Sequence, residues 1–331
     1  MYFPAPYFVQ SNGIPIAVYD QGAGPAIVLL HGFPELAYSW RRMLEPLTAA
    51  GYRTIVPDLR GYGRTGCHGE IADYRLSNLA LDVIGILDAL SIDQAIVAGH
   101  DFGGALAWTL ARNHPGRCEA VISLNTPYTR RGSADLLTTI ERTLGPDNYM
   151  VTFQAPGVAE ELLLGNIEQI FRSSFRRPCD TVDAAAADPR LRALPATLFL
   201  DDAPHRGETF VSEDEIAIYV DAFRTTGFSG ALNWYRNFAL NREEVSPEND
   251  RVLQSALMIS AEHDIFLPPS TADGIERQVP NVERRTIAGC GHWTPQERPE
   301  ETARLILDWL ARRGTSSSAH QPLGNDQAIR P

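Results

Sequence analysis

One stretch, residues 95–108 (AIVAGHDFGGALAW), constrains the fold of this chain more than any other. An apolar run of the buried-strand kind ends at Gly99, and a helical pattern follows from Ala105 with almost no linker between them. The reversal must therefore happen within Gly99-His100-Asp101-Phe102-Gly103. A Gly-x-Asp-x-Gly turn of this kind strains the backbone of its middle residue and exposes that side chain at the helix N-terminus. A Cβ at Gly99 or Gly103 would collide across the turn.

The flanking sequence supplies the sheet on which this turn sits. Short apolar runs at 26–30, 54–57, 95–98, 120–124, 256–260 and 283–287 read as buried strands, and helical patterns at 76–90, 105–113 and 300–312 alternate with them. That alternation predicts an α/β fold with a mostly parallel central sheet and helices on both faces. Residues 7–20 read as a hairpin broken at Asn12-Gly13. The alternation stops between residues 130 and 245, where the pattern is mainly helical (160–175, 212–225) with loops at 177–190 and 201–208. The expected organisation is a first core segment over 1–130, an inserted helical cap or lid over 131–245, a second core segment over 246–313, and a polar, disordered tail over 314–331.

Composition narrows the chemistry. All 29 basic residues are arginine, which excludes a Schiff-base lysine, a pyridoxal phosphate anchor and a phosphate loop ending in Gly-Lys-Ser/Thr. Arginine stays protonated and replaces none of these. A formal net charge of −12 argues against nucleic acid and anionic membrane surfaces as partners. Cys67, Cys118, Cys179 and Cys290 lie far apart without zinc spacing, so free thiols in a reducing compartment are expected. No apolar run approaches the ~20 residues of a membrane span. The expectation is a cytoplasmic protein that needs no metal and no organic cofactor; its oligomeric state stays open, with a homo-oligomer allowed.

Where esterases carry serine at the elbow, this chain carries Asp101. A carboxylate needs no base to become a nucleophile and can attack a saturated carbon, leaving an ester on the enzyme. Aspartate also caps helices, but the glycine frame and the remaining motifs favour the nucleophile. Leu29-Leu30-His31-Gly32-Phe33-Pro34-Glu35 follows the first buried strand, where the backbone amides of Phe33 and Phe102 would converge on Asp101 as an oxyanion hole, at roughly 3 kcal/mol per donor. Beyond the strand 256–260 comes Asp264, and beyond the last strand comes His292 in Gly289-Cys290-Gly291-His292-Trp293. Both stand at strand C-terminal ends, where parallel sheets carry their ligand sites. The chain order Asp101, Asp264, His292 is nucleophile, acid, histidine. Asp264 would fix the tautomer of His292, and His292 would deprotonate the attacking water. His31, His100 and His263 read as structural. Phe33, Pro34, Phe102 and Trp293 are expected to bind substrate.

Seven motifs, HGFPE (31–35), DLRGYG (58–63), GHDFGG (99–104), FQAPGVAE (153–160), GFSGALNWYRN (227–237), AEHD (261–264) and GCGHW (289–293), make the chain resemble the epoxide hydrolases of the α/β-hydrolase superfamily, of the soluble epoxide hydrolase type, up to residue 313. The resemblance implies the α/β-hydrolase fold and two cap tyrosines, Tyr149 and Tyr235, that donate hydrogen bonds to the epoxide oxygen. A phenol suits that task because opening the ring expels an alkoxide. Arg236 is expected to brace the Tyr235 segment. The chain departs from the family in having Phe102 where many relatives have tryptophan and Met150 where mammalian relatives have glutamine, and no N-terminal phosphatase-type domain is expected. The implied reaction takes a small, mostly apolar epoxide and water to a vicinal diol. Two alternatives share the scaffold. A haloalkane or haloacid dehalogenase needs halide-binding side chains or an arginine that Phe33 and Phe102 do not supply, and a non-enzymatic ligand receptor has no need of an intact Asp-His-Asp set.

Overall fold

The computed structural model describes residues 3–128, 136–179, 191, 193–200, 206–244 and 250–318. Among the described residues ten strands form: β1 (Tyr7–Ser11), β2 (Ile14–Gln21), β3 (Ala26–Leu30), β4 (Arg53–Pro57), β5 (Ala95–His100), β6 (Cys118–Leu124), β7 (Arg176–Pro178), β8 (Arg206–Thr209), β9 (Ser255–Ala261) and β10 (Val282–Ile287). Eight of them build one sheet in the order β1-β2-β4-β3-β5-β6-β9-β10. The β1/β2 and β2/β4 pairs are antiparallel, and all pairs from β4 to β10 are parallel. The β1/β2 hairpin turns at Asn12 and Gly13, both at positive φ (47° and 81°), the geometry whose twist suits a two-residue hairpin.

The continuous apolar runs of β3 and β5 are explained by burial on both faces. Ile27 and Leu29 belong to one core, with the helices Arg41–Ala49 and Pro299–Ser318, while Val28 and Leu30 belong to the other, with Leu76–Ala89 and Phe102–Asn113. From β3 the chain steps outward to β4 and then back across to β5. The loops after β3 and β5 thus diverge from neighbouring strands, and a crevice opens at their C-terminal ends.

Between β6 and β9 the chain builds mainly helices, among them Leu136–Leu144, Tyr149–Thr152, Val158–Gly165, Ile167–Ser174, Glu213–Thr226 and Ser229–Arg236. Their apolar faces extend the second core, with Phe153, Phe171, Phe223 and Trp234 buried in it. Polar fastenings hold them to the sheet side: Trp234 Nε1 donates to the Arg60 carbonyl at 3.0 Å, and Arg41, fully buried, pairs with Glu215 at 2.6 Å. Among the described residues no helix is long and apolar enough to cross a membrane.

Three local expectations are corrected. The helix read over 160–175 is two helices that meet at Asn166, whose side-chain amide donates to the Leu162 carbonyl and so competes with the helical ladder. Parts of the two expected loops pair as β7 and β8, three and four residues long, which show no alternation and are defined only by each other. The final helix passes Gly314, where the tail was expected to begin, and reaches Ser318; one interior glycine costs about 1 kcal/mol and does not by itself end a helix. Residues 319–331 lie outside the described residues.

Candidate active site

The elbow forms as its sequence requires. β5 ends at His100, the helix begins at Phe102, and Asp101 between them has φ 51° and ψ −120°, a region that costs a non-glycine residue about 1–3 kcal/mol. Neighbours hold it there: Gly104 N–H and Thr126 Oγ1 donate to the Asp101 carbonyl at 2.9 and 2.7 Å. A Cβ on Gly99 would stand 2.0 Å from the Gly103 carbonyl oxygen, which no relaxation could absorb. The loop after β3 approaches as closely, since a Cβ on Gly32 would lie 2.4 Å from the Asp101 Cβ. Glycine there lets the next amide, Phe33 N–H, donate to Asp101 Oδ1 at 2.9 Å. Phe102 N–H, the first amide of the helix, has no intrahelical acceptor by position.

The other oxygen of Asp101 faces His292, Nε2 to Oδ2 at 3.8 Å. His292 Nδ1 donates to Asp264 Oδ2 at 2.9 Å. Asp264 is buried and its lone pairs are committed: Oδ1 accepts from Phe266 N–H and Leu267 N–H, both at 2.9 Å, and Oδ2 also from Asn125 Nδ2 at 2.7 Å. Burial works against its charge, but His292, the Leu267 amide and Asn125 outweigh burial and hold the carboxyl below its ordinary range. Burial likewise disfavours the His292 imidazolium, yet the charge and hydrogen bond of Asp264, reinforced by Asp101, push it up to about 9.

A cavity of about 240 Å³ lies over this set. Asp101, Phe102, Phe33, His292, Trp293, Tyr149 and Tyr235 line it, together with Met150, Phe199, Phe238, Phe266 and Ile140. Tyr235 packs edge-on against Phe33 and Phe102, with ring centroids at 5.2 and 4.7 Å, and its ring lies 5.8 Å from that of Tyr149. Gln154 joins the two tyrosine segments by donating to the carbonyls of Met150 and Tyr235. Arg236 braces the next position through the Phe153 carbonyl (3.1 Å) and Glu160 (2.8 Å). Burial, joined by the Asp101 charge, raises both phenols well above their ordinary value, so both stay protonated as donors.

Pro34 differs from the other three residues expected to bind substrate. It is buried but does not line the cavity. The turn closed by Glu35 N–H on the Gly32 carbonyl at 3.0 Å presents Phe33 instead. His31 and His100 are buried, and His31 Nε2 accepts from Leu59 N–H. His100 does more than fill space: its Nδ1 meets Glu35 Oε2 and its Nε2 the His292 carbonyl, both at 2.7 Å. A carbonyl only accepts, so that Nε2 carries a proton. Burial opposes the charge on Glu35, but His100 more than compensates and its carboxyl falls to about 2. Sequence reasoning missed Glu35, Asn125 and Phe266. Glu35 sits in HGFPE and Asn125 just past a strand end, but neither position reveals its partner.

Comparisons with known proteins identify the family of the fold. Residues 25–299 match the family model described as alpha/beta hydrolase fold. The chain is 35% identical over 305 residues to a bifunctional epoxide hydrolase 2 of Sus scrofa, covering 92% of this chain and 54% of that protein; it thus spans about half the length of such mammalian relatives. It is 32% identical to epoxide hydrolase A of Mycobacterium tuberculosis, over 93% of this chain and 97% of that one. A solved epoxide hydrolase from an endophytic Streptomyces superposes with a TM-score of 0.87 at 31% identity, covering 95% and 97% of the two chains.

Proposed function

The chain belongs to the α/β-hydrolase fold family and, within it, to the epoxide hydrolases, and on that premise we propose that it adds water to a small, mostly apolar epoxide through an ester on Asp101. The observation that carries the reading is a carboxylate at a strained elbow, with two phenols and an imidazole lining the cavity above it. Asp101 Oδ2 attacks a ring carbon, the C–O bond to the ring oxygen breaks, and Tyr149 and Tyr235 stabilise the alkoxide and supply its proton.

Proton bookkeeping then follows from the charges. In the resting enzyme His292 is held as imidazolium by two carboxylates. Esterification neutralises Asp101, which lowers the proton affinity of His292, and its proton returns to the phenolate. Neutral His292, oriented by Asp264, takes a proton from water, and the hydroxide attacks Cγ of Asp101. The oxyanion develops on Oδ1, already held by Phe33 N–H and joined by Phe102 N–H. Collapse expels the diol alkoxide, which takes the proton of the added hydroxyl, and the carboxylate and imidazolium are restored. No step calls for a metal or cofactor.

The substrate side of the cavity is apolar apart from these groups, in keeping with a neutral substrate and the −12 charge of the chain. Phe33 and Phe102 offer no side-chain donor to a halide, which favours this reading over a dehalogenase. No disulfide joins the four cysteines, which supports a reducing, cytoplasmic location. The test is mass spectrometry of His292→Gln after incubation with styrene oxide. A stalled ester should appear as a mass adduct on the peptide bearing Asp101. Absence of the adduct alongside diol production by the unaltered enzyme would refute the covalent route.

A further inference from the structure

The loop that carries His292 is held by a carboxylate that the proposed mechanism does not use. Glu297 is almost fully buried, in the short helix Thr294–Glu297. Its Oε2 accepts Gly291 N–H at 2.9 Å and its Oε1 accepts Trp293 N–H at 3.0 Å. These are the amides immediately before and after His292. A Cβ on Gly291 would come within 2.9 Å of Glu297 Oε1, so the carboxylate lies close against the loop backbone. Between those amides, the His292 carbonyl accepts from His100 Nε2 and Thr294 N–H.

The carboxylate sits there against its own desolvation. Burial pushes Glu297 up to about 7, although the two amides, His292 and Arg177 all favour its charge. Cys290, also near it, has its thiol raised by burial and then by the Glu297 charge. A group that is costly to ionise and spends both oxygens on one loop points to a role in that loop.

We propose that Glu297 is a positioning residue for ester hydrolysis: its two oxygens span the peptide groups flanking His292 and aim Nε2 at the water above Asp101. This rests on the reading of His292 as the base. The alkylation step uses Asp101 and the phenols and needs no precise placement of Nε2. Loosening the loop should therefore slow one half-reaction only.

The experiment is a single-turnover measurement on the full-length enzyme with styrene oxide, following ester formation and decay by quenched intact-mass spectrometry. Glu297→Gln has nearly the same shape, but its amide nitrogen must face one of the two N–H groups. Ester decay should slow about 10- to 100-fold, the weight of one charge-assisted hydrogen bond, with ester formation little changed. Glu297→Asp, too short to reach both amides, guards against a Gln variant that does not fold and should shift the same ratio in the same direction. Parallel loss of both half-reactions, or ester decay at the wild-type rate, would overturn the proposal. Failure of His292→Gln to accumulate ester would instead strike the reading of the base.

Discussion

Replacing Asp101 with asparagine keeps the shape of the side chain and removes one negative charge 3.8 Å from His292 Nε2. At that separation two unit charges interact by about 4 kcal/mol at an effective dielectric of 20 and by about 1 kcal/mol in bulk water. Asp101 keeps 20% of its side chain exposed to the cavity while His292 keeps 6%, so the true value lies between those limits. At 1.36 kcal/mol per unit, that corresponds to a fall of about 1–3 pH units. His292, at about 9 in the resting enzyme, should therefore titrate about 1–3 units lower in Asp101→Asn. An NMR titration of the imidazole carbons measures this directly. Esterification removes the same charge, so the variant reproduces the electrostatic state in which His292 must act as a base. A titration that stays near 9 in Asp101→Asn, and falls only when Asp264 is neutralised, would show that Asp264 alone sets the proton affinity and would refute the charge switch.

Three further outcomes follow from the same geometry. Tyr235→Phe removes a donor to the departing oxygen at a cost of about 2–3 kcal/mol; stopped-flow should show ester formation slowed about 30- to 150-fold, with ester decay unaffected. In Gly32→Ala the new Cβ would meet Asp101 Cβ at 2.4 Å and must push the Phe33 amide off the carboxylate. Steady-state assays should show a loss of about 100-fold or more with a melting cost of about 1–3 kcal/mol, and unchanged turnover would refute the close approach. His292 has a folded pKa raised from 6.5 to about 9; its contribution to stability is complete below 6.5 and is lost as pH rises through 9. Thermal melts should therefore show the melting temperature falling across that window, and His292→Gln should flatten the fall.

Much of this site is legible in the chain because its signals are local. Gly99 and Gly103 report a turn that only a strand-to-helix elbow needs, and Asp101 between them marks the proposed nucleophile. The alternation of β-branched runs with helical periods reports strands buried on both faces, since a one-sided strand would alternate with period two. Asp264 and His292 are legible because each follows a strand end, and Phe33 because it follows Gly32. The two tyrosines are different: Tyr149 and Tyr235 are legible only through motifs resembling a family, as no local rule marks a phenol 86 residues before another.

What tertiary structure alone decided is how distant groups share charge and protons. Asn125 meets Asp264 across 139 residues, Gln296 Nε2 meets Glu35 across 261, and Glu35 reaches His100 across 65. A hydrogen bond of this kind depends on the order of strands in the sheet, which brings β3, β5, β6 and β9 side by side; the periodicity that identifies each strand carries no record of its neighbour. The same holds for Pro34, which is not among the cavity-lining residues, and for β7 and β8, which exist only as a pair. Sequence by itself determined which atoms could react. Packing determined how strongly those atoms hold their protons, because burial and charge at a few ångströms belong to the folded chain and to no segment of it.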